Sequence, residues 1–180
     1  MEHITYDKAY ISDILRSVKT IAVVGASAKE VRPSFFVMKY LLDKGYEIIP
    51  INPGIAGGEI LGQKVYASLK DVPIAIDMVD VFRNSEAAGA IVDEALTLSP
   101  LPKVIWMQLS VRNEEAAQRA EAAGLKVVMD RCPKIEYGKL SGEWAWVGGA
   151  TGAISSKKQS MHASGKMQSL GLGPGFNVKK

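Results

Sequence analysis

Cysteine is nearly absent from this 180-residue chain: Cys132 stands alone. A single thiol forms no internal disulfide, and without a CxxC pair a structural zinc framework lacks its ligands. Histidine is almost as scarce, with His3 and His162 near the two ends. A metal centre or a His-based triad therefore has almost nothing to be built from. No apolar run approaches the roughly 18 residues of a membrane helix. The opening stretch MEHITYDKAYISDILRSVKT mixes both charge signs and lacks the apolar block of a signal peptide. These absences lead to the expectation of a cytoplasmic protein without a membrane partner. Acid is missing from the last 26 residues, which hold Lys157, Lys158, Lys166, Lys179 and Lys180. The formal charge of +3 belongs to that tail, since residues 1–154 carry 17 basic and 19 acidic side chains. The body is thus not expected to bind nucleic acid.

What is present is an alternation. Residues 8–18 place Ile11, Ile14, Leu15 and Val18 at helical spacing. TIAVVG is a short apolar run that fits a strand buried on both faces. Pro33 suits the first turn of a helix carrying Phe36, Val37, Tyr40 and Leu41, with Gly45 at its end. YEIIPINP reads as a second strand. GIAGGEILGQKVYASLKDVP reads as a long loop with a helical piece near Ser68–Lys70. IAIDMVDVF is a third strand, and Asn84 or Ser85 caps a helix reaching to about Leu98. KVIWMQL is a fourth strand. Asn113 starts a helix that stops at Gly124, and LKVVMD is the fifth strand. Strands and helices alternating over short connections argue for a parallel sheet covered on both faces. The expected fold is α/β: a Rossmann-like doubly wound five-stranded sheet, order 3-2-1-4-5, in three layers. Its ligand would sit at the carboxyl ends of the strands.

The first strand end, Gly25-Ala26-Ser27, followed by Arg32-Pro33-Ser34, has the form of a phosphate loop opening a helix. A dinucleotide fingerprint would have three glycines and an acid about 20 residues later. Here Ser27 and Glu30 stand at the second and third glycine positions, and the second strand ends in Asn52. Both departures count against NAD. A lone glycine at a strand end also fits a plain structural turn.

VVGAS followed by RPS, then GYEIIPINP, DMVDVFR, WMQL and GLKVVMDRCPKIE, come in the order found in small stand-alone CoA-binding proteins. Over about residues 10 to 158 the chain resembles that family, whose Rossmann-like domains are similar to the CoA-binding domain of the succinyl-CoA synthetase α subunit. The resemblance implies coenzyme A, or an acyl-CoA thioester, as ligand. It places Gly25, Ala26 and Ser27 along the diphosphate, with Arg32 and Ser34 flanking it. Asn52 and Pro53 would lie by the adenosine, and Val81, Phe82 and Arg83 would form the third wall. Gln108 and Ser110 would face the pantetheine. An acid in place of Asn52 would repel the 3′-phosphate of CoA. Two positions depart from the family pattern: Gly54 where Lys often follows Asn-Pro, and Ser110 where Gly often follows Gln-Leu.

No catalytic group is convincing. Asp77 and Asp80, three apart, are expected on opposite sides of a strand and make a poor acid/base pair. Asp130 reads as structural. Cys132 reads either as a small buried apolar residue or as a thiol able to form a mixed disulfide with CoA, its pKa lowered by Arg131. The expected function is a CoA or acyl-CoA binding protein without chemistry of its own. An NAD(P)-dependent oxidoreductase and an interaction subunit with a vestigial site are the alternatives. A homodimer or an unidentified protein partner stays open. Residues 1–140 are expected to form the CoA-binding domain and 141–158, with Trp144 and Trp146, to pack on it. Residues 159–180 are expected to be a flexible tail.

Overall fold

The computed structural model describes residues 3–142. Helix α1 (Lys8–Ser17) leads into strand β1 (Thr20–Val24), helix α2 (Pro33–Asp43) and strand β2 (Glu47–Ile51). A short hairpin follows, β3 (Glu59–Ile60) and β4 (Gln63–Lys64). Then come β5 (Met78–Val81), α3 (Ser85–Ala95), β6 (Val104–Met107), α4 (Glu114–Ala122), β7 (Lys126–Val128) and α5 (Pro133–Leu140). The boundaries between residues 141 and 180 expected from composition, and the packing of Trp144 and Trp146, lie outside the described residues apart from the turn at 141–142.

The helices start where local chemistry starts them. Asp7, Asn84 and Asn113 each accept an amide of the first turn with a side-chain oxygen. Pro33 and Pro133 open α2 and α5 at the position where a missing N–H costs nothing. Between β2 and β5 the chain makes two 3-10 turns, Pro53–Ile55 and Leu69–Asp71. The loop expected there also contains the β3–β4 hairpin, turned by Leu61 and Gly62, both at positive φ. Helix α5 is an element the periodicity did not announce.

The five-stranded sheet is parallel throughout, with β1 between β2 and β5, then β6 and β7. Doubly wound architecture holds, but the expected 3-2-1-4-5 order does not. Counting only this sheet's strands, the order is 2-1-3-4-5. The reason lies in which face each connection covers. Helix α2 packs with α1 and α5 over one face, where Ile11, Leu15, Met38, Leu41 and Tyr137 meet Ile21, Val23, Met78 and Trp106. The connection to β5 runs over the other face, where Leu69 joins Val92, Ala95, Ala117 and Ala120 of α3 and α4. Crossovers are right-handed, so changing face reverses the direction of travel across the sheet. The third strand therefore passes β1 and pairs on its far side. The switch point falls between β1 and β5.

Candidate functional site

At that switch point, Gly25 ends β1 with φ +93°. A β-carbon here would stand 2.8 Å from the Phe82 carbonyl oxygen and 3.0 Å from Cδ of Arg83. Both the backbone conformation and the close approach of the β5 end require glycine. The amides of Gly25 and Ala26 donate to the Ile51 carbonyl, at 3.0 and 3.3 Å. The loop is so tied to β2 on one side and pressed on β5 on the other. Among the described residues, the amides of Ser27 and Ala28 have no acceptor. The Ser27 hydroxyl accepts from the Lys29 amide at 3.2 Å. Helix α2 then begins at Arg32 and Pro33 with no side-chain cap. Pro33 has no N–H and the Phe35 amide donates to the Arg32 carbonyl, so the Ser34 amide is the first-turn donor left over, and with the helix dipole it favours an anion.

The other expected site residues divide into those gathered at this loop and those further along the edge. Asn52 braces the loop: its Nδ2 donates to the Ala26 carbonyl at 2.7 Å, and its Oδ1 accepts from the Gly54 amide at 2.9 Å. An aspartate could not make the first bond. Pro53 is exposed at the start of the 3-10 turn beyond it. Ser34 is buried in the first turn of α2, while Arg32 is exposed at its cap. Val81 is buried at the end of β5. Phe82 donates its amide to the Val24 carbonyl at 2.8 Å and packs on the α1/α2/α5 core. Arg83 is exposed, its stem over Gly25. Neither Arg32 nor Arg83 has an ion-pair partner among the described residues.

Gln108 and Ser110 follow β6, two strands from β1 and so roughly 10 Å away. The Gln108 amide donates to the Val81 carbonyl at 3.3 Å. Ser110 is exposed, at φ +65°, and its amide donates to Oδ1 of Asp130 at 2.7 Å. Asp130, itself at φ +53°, thus has the backbone-satisfying role expected of it.

Asp80, read from the sequence only as half of a poor acid/base pair with Asp77, has a partner of its own in the structure. It is fully buried in β5, between Val23 of β1 and Trp106 of β6. Its two carboxyl oxygens lie 3.0 and 3.1 Å from Nε2 of Gln108. Burial pushes its pKa up to about 8, against the pull of the Gln108 bond. An acidic residue inside the apolar run MVDV was the available signal. Asp77, by contrast, precedes the strand at its other end, where it accepts the Lys19 and Thr20 amides and pairs with Lys103.

Cys132 is buried at the cap of α5. Burial raises its thiol pKa, against the Ile135 amide that would lower it, and Asp80 adds to the rise. The lowering by Arg131 expected from sequence does not occur. The Arg131 guanidinium turns to the Ile4 and Asp130 carbonyls and the Tyr6 ring. Among the described residues no group of His, Cys, Asp and Glu could hold a metal ion, and no helix is long and apolar enough to cross a membrane. Two surface hollows of about 420 and 450 Å³ lie at the opposite edge of the sheet, beside Ile74 and Pro100 and beside Leu101 and Lys126. The loop chemistry is not there.

Comparison with known proteins identifies the family. The family model described as CoA binding domain matches residues 19–138. The chain is 45% identical over 131 residues to the uncharacterized protein YneT of Bacillus subtilis, covering 72% of this chain and 93% of that one. It is similar to a solved hypothetical protein from Pyrococcus horikoshii OT3, with TM-score 0.70, 38% identity, and 77% and 98% of the two chains covered. It is also 36% identical over 88 residues to the α subunit of an ADP-forming acetate–CoA ligase from Pyrococcus furiosus. That match covers 46% of this chain and spans only 19% of the ligase subunit. The chain belongs to the CoA-binding domain family.

Proposed function

We propose that this member of the CoA-binding domain family binds coenzyme A or an acyl-CoA at the carboxyl edge of its sheet, without chemistry of its own. The observation that carries the reading is the Gly25 turn, pressed on the Phe82 carbonyl and opening onto the uncapped start of α2. That geometry offers backbone donors and a dipole to a diphosphate. Arg32 and Arg83 flank it as cations without partners among the described residues, suited to phosphate oxygens. Gly25, Ala26 and Ser27 hold the diphosphate in this reading, and Arg32 and Ser34 shape the start of α2 beside it. Asn52 contributes by bracing the loop, with Pro53 and Gly54 next to it leaving room for an adenosine. Val81, Phe82 and Arg83 wall the crevice, and Gln108 and Ser110 receive the pantetheine arm.

The reading without chemistry is supported by what lies at this edge. The thiol there is buried and hard to ionise, and the carboxyl group of Asp80 is buried with it. A nucleophile needs a base within reach and access to substrate.

The test is a thermal shift of the purified chain with CoA, acetyl-CoA and NAD, paired with mass spectrometry of small molecules released on heating. A ligand at 100 times its dissociation constant stabilises by about 2.7 kcal/mol. A shift with CoA or acetyl-CoA and none with NAD is expected. A larger shift with NAD, or turnover of an acyl-CoA by the chain alone, overturns the reading.

A further inference from the structure

The carboxyl edge contains one pairing that the phosphate loop does not use. Asp80 is wholly buried, yet its carboxyl group touches a side chain with a free end. Gln108 directs Nε2 to both Asp80 oxygens, at 3.0 and 3.1 Å. Its Oε1 accepts from no described residue. The one buried side-chain polar atom without a hydrogen-bond partner among the described residues is Nε2 of His3, which lies 3.4 Å from Oε1 of Glu121. Oε1 of Gln108, a residue only 6% exposed, is therefore not wholly sealed from the surface at the end of β6. An amide group has two chemically opposite ends, and with Nε2 held by Asp80 the acceptor end is the one left over.

We infer that Asp80 is a positioning residue that fixes which end of the Gln108 amide meets the ligand, turning the acceptor Oε1 toward an N–H group of the pantetheine arm. This rests on the CoA reading above. Pantetheine carries secondary amides, whose N–H groups need an acceptor once they leave water. The orientation follows from charge. An ionised carboxylate only accepts, so it takes Nε2 and leaves Oε1 outward. A protonated carboxyl has one O–H to donate and still accepts on its other oxygen, so it can hold Oε1 as well as Nε2 and draws Oε1 away from the ligand.

The charged surroundings are few. Across the sheet Asp80 faces Val23 and Trp106, which carry no charge. The titratable neighbour is the Cys132 thiol at the start of α5, with the Lys134 ammonium acting on that thiol from the first turn. Burial holds the Asp80 carboxyl at a pKa of about 8, so the two orientations exchange within an accessible pH range. Binding that requires the ionised form strengthens about tenfold per pH unit below that pKa and levels off above it.

Two measurements on the full chain test this. The first follows the Gln108 side-chain NH2 resonances by 15N NMR from pH 6 to 9 without ligand, assigned by their loss in Gln108→Leu. They are expected to titrate near pH 8 in wild type and to stay flat in Asp80→Asn. A flat wild-type signal overturns the inference whether or not the variant folds. The second measures CoA affinity by calorimetry over the same range. The ligand's own titration is common to both proteins, so only their difference counts. Wild type is expected to gain about tenfold per unit up to pH 8 relative to Asp80→Asn. Equal profiles overturn the positioning role and leave CoA binding intact. Absence of CoA binding at every pH overturns the functional reading itself, and the ligand role of Asp80 with it.

Discussion

Replacing Gly25 by alanine separates the two demands made on that residue. The first is conformational: φ of +93° costs an L-residue about 1–2 kcal/mol. Against this, alanine loses less freedom on folding than glycine, which returns about 0.5–1 kcal/mol. The second demand is spatial. The new methyl would stand 2.8 Å from the Phe82 carbonyl oxygen, and that oxygen is backbone, held because the Phe82 amide donates to Val24. Forcing such a contact costs about 1–3 kcal/mol. Together Gly25→Ala should lose about 2–4 kcal/mol, a melting temperature lower by roughly 6–15 °C for a domain of this size. Gly124 supplies the control. It has φ +87°, but a β-carbon there meets nothing within 4 Å. Gly124→Ala should therefore show the conformational cost alone, about 1 kcal/mol or less. Urea denaturation of the two variants measures the difference. If they lose the same stability, the β1 turn is not pressed on β5, and the geometry assigned to the phosphate loop is wrong.

Other outcomes follow from neighbouring residues. Asn52→Asp removes the donor to the Ala26 carbonyl, and should cost about 1–3 kcal/mol in denaturation and weaken CoA binding further by repulsion. The raised pKa of Asp80 has a definite sign. The folded chain holds a proton that the unfolded chain has released above its ordinary pKa, so stability from this group is greatest at low pH. It declines by about 1.4 kcal/mol per pH unit between roughly pH 4 and pH 8 and then levels off. Asp80→Asn should flatten that decline in melting temperature against pH, and a wild-type curve no steeper than the variant's counts against the burial of an acid here. Ser110→Gly should stabilise by at most about 1 kcal/mol, since the exposed serine is held at φ +65°. A loss of stability instead would mean that the left-handed backbone at Ser110 carries no strain for glycine to relieve. Cys132, 6% exposed, should react with Ellman's reagent slowly in the native protein and quickly once unfolded. Rapid native labelling would revive the mixed-disulfide chemistry that its surroundings disfavour.

The parts of this fold that could be read from the chain are those fixed by near neighbours. Continuous apolar runs marked the five sheet strands, and Asn84, Asn113 and Pro33 marked helix starts, because a cap or a fixed φ acts within one turn. Strand order was not of this kind. It depends on the face covered by residues 52–77, where the Leu69 side chain and the Leu69 and Lys70 amides, bonded to Glu94, anchor one 3-10 turn to the α3/α4 side. No periodicity encodes that choice. Helix α5 escaped for a related reason: Ile135, Tyr137 and Leu140 do not repeat along one clean stripe, and only Pro133 announced it.

The site shows the same division at higher resolution. Gly25 at a strand end directed attention to this loop, since glycine is what a sharp turn demands. What the sequence hid was which neighbour made the demand, because the order 3-2-1-4-5 would not put β5 next to β1. With the order corrected, the same contact explains two facts together. Gly25 must be small because the chain changes direction across the sheet at β1, bringing the Phe82 carbonyl against it. A crevice between those two strand ends is what the topology calls for, since α2 leaves on one face and α3 on the other. Asp80 lies beneath that crevice for the same topological reason, as a neighbour of both Val23 and Trp106. A buried acid survives there only if it is hydrogen-bonded or neutral, and Gln108, one strand over, meets the first condition. The loop that suits a diphosphate and the buried acid that orients Gln108 are thus consequences of one reversal in the winding of the sheet.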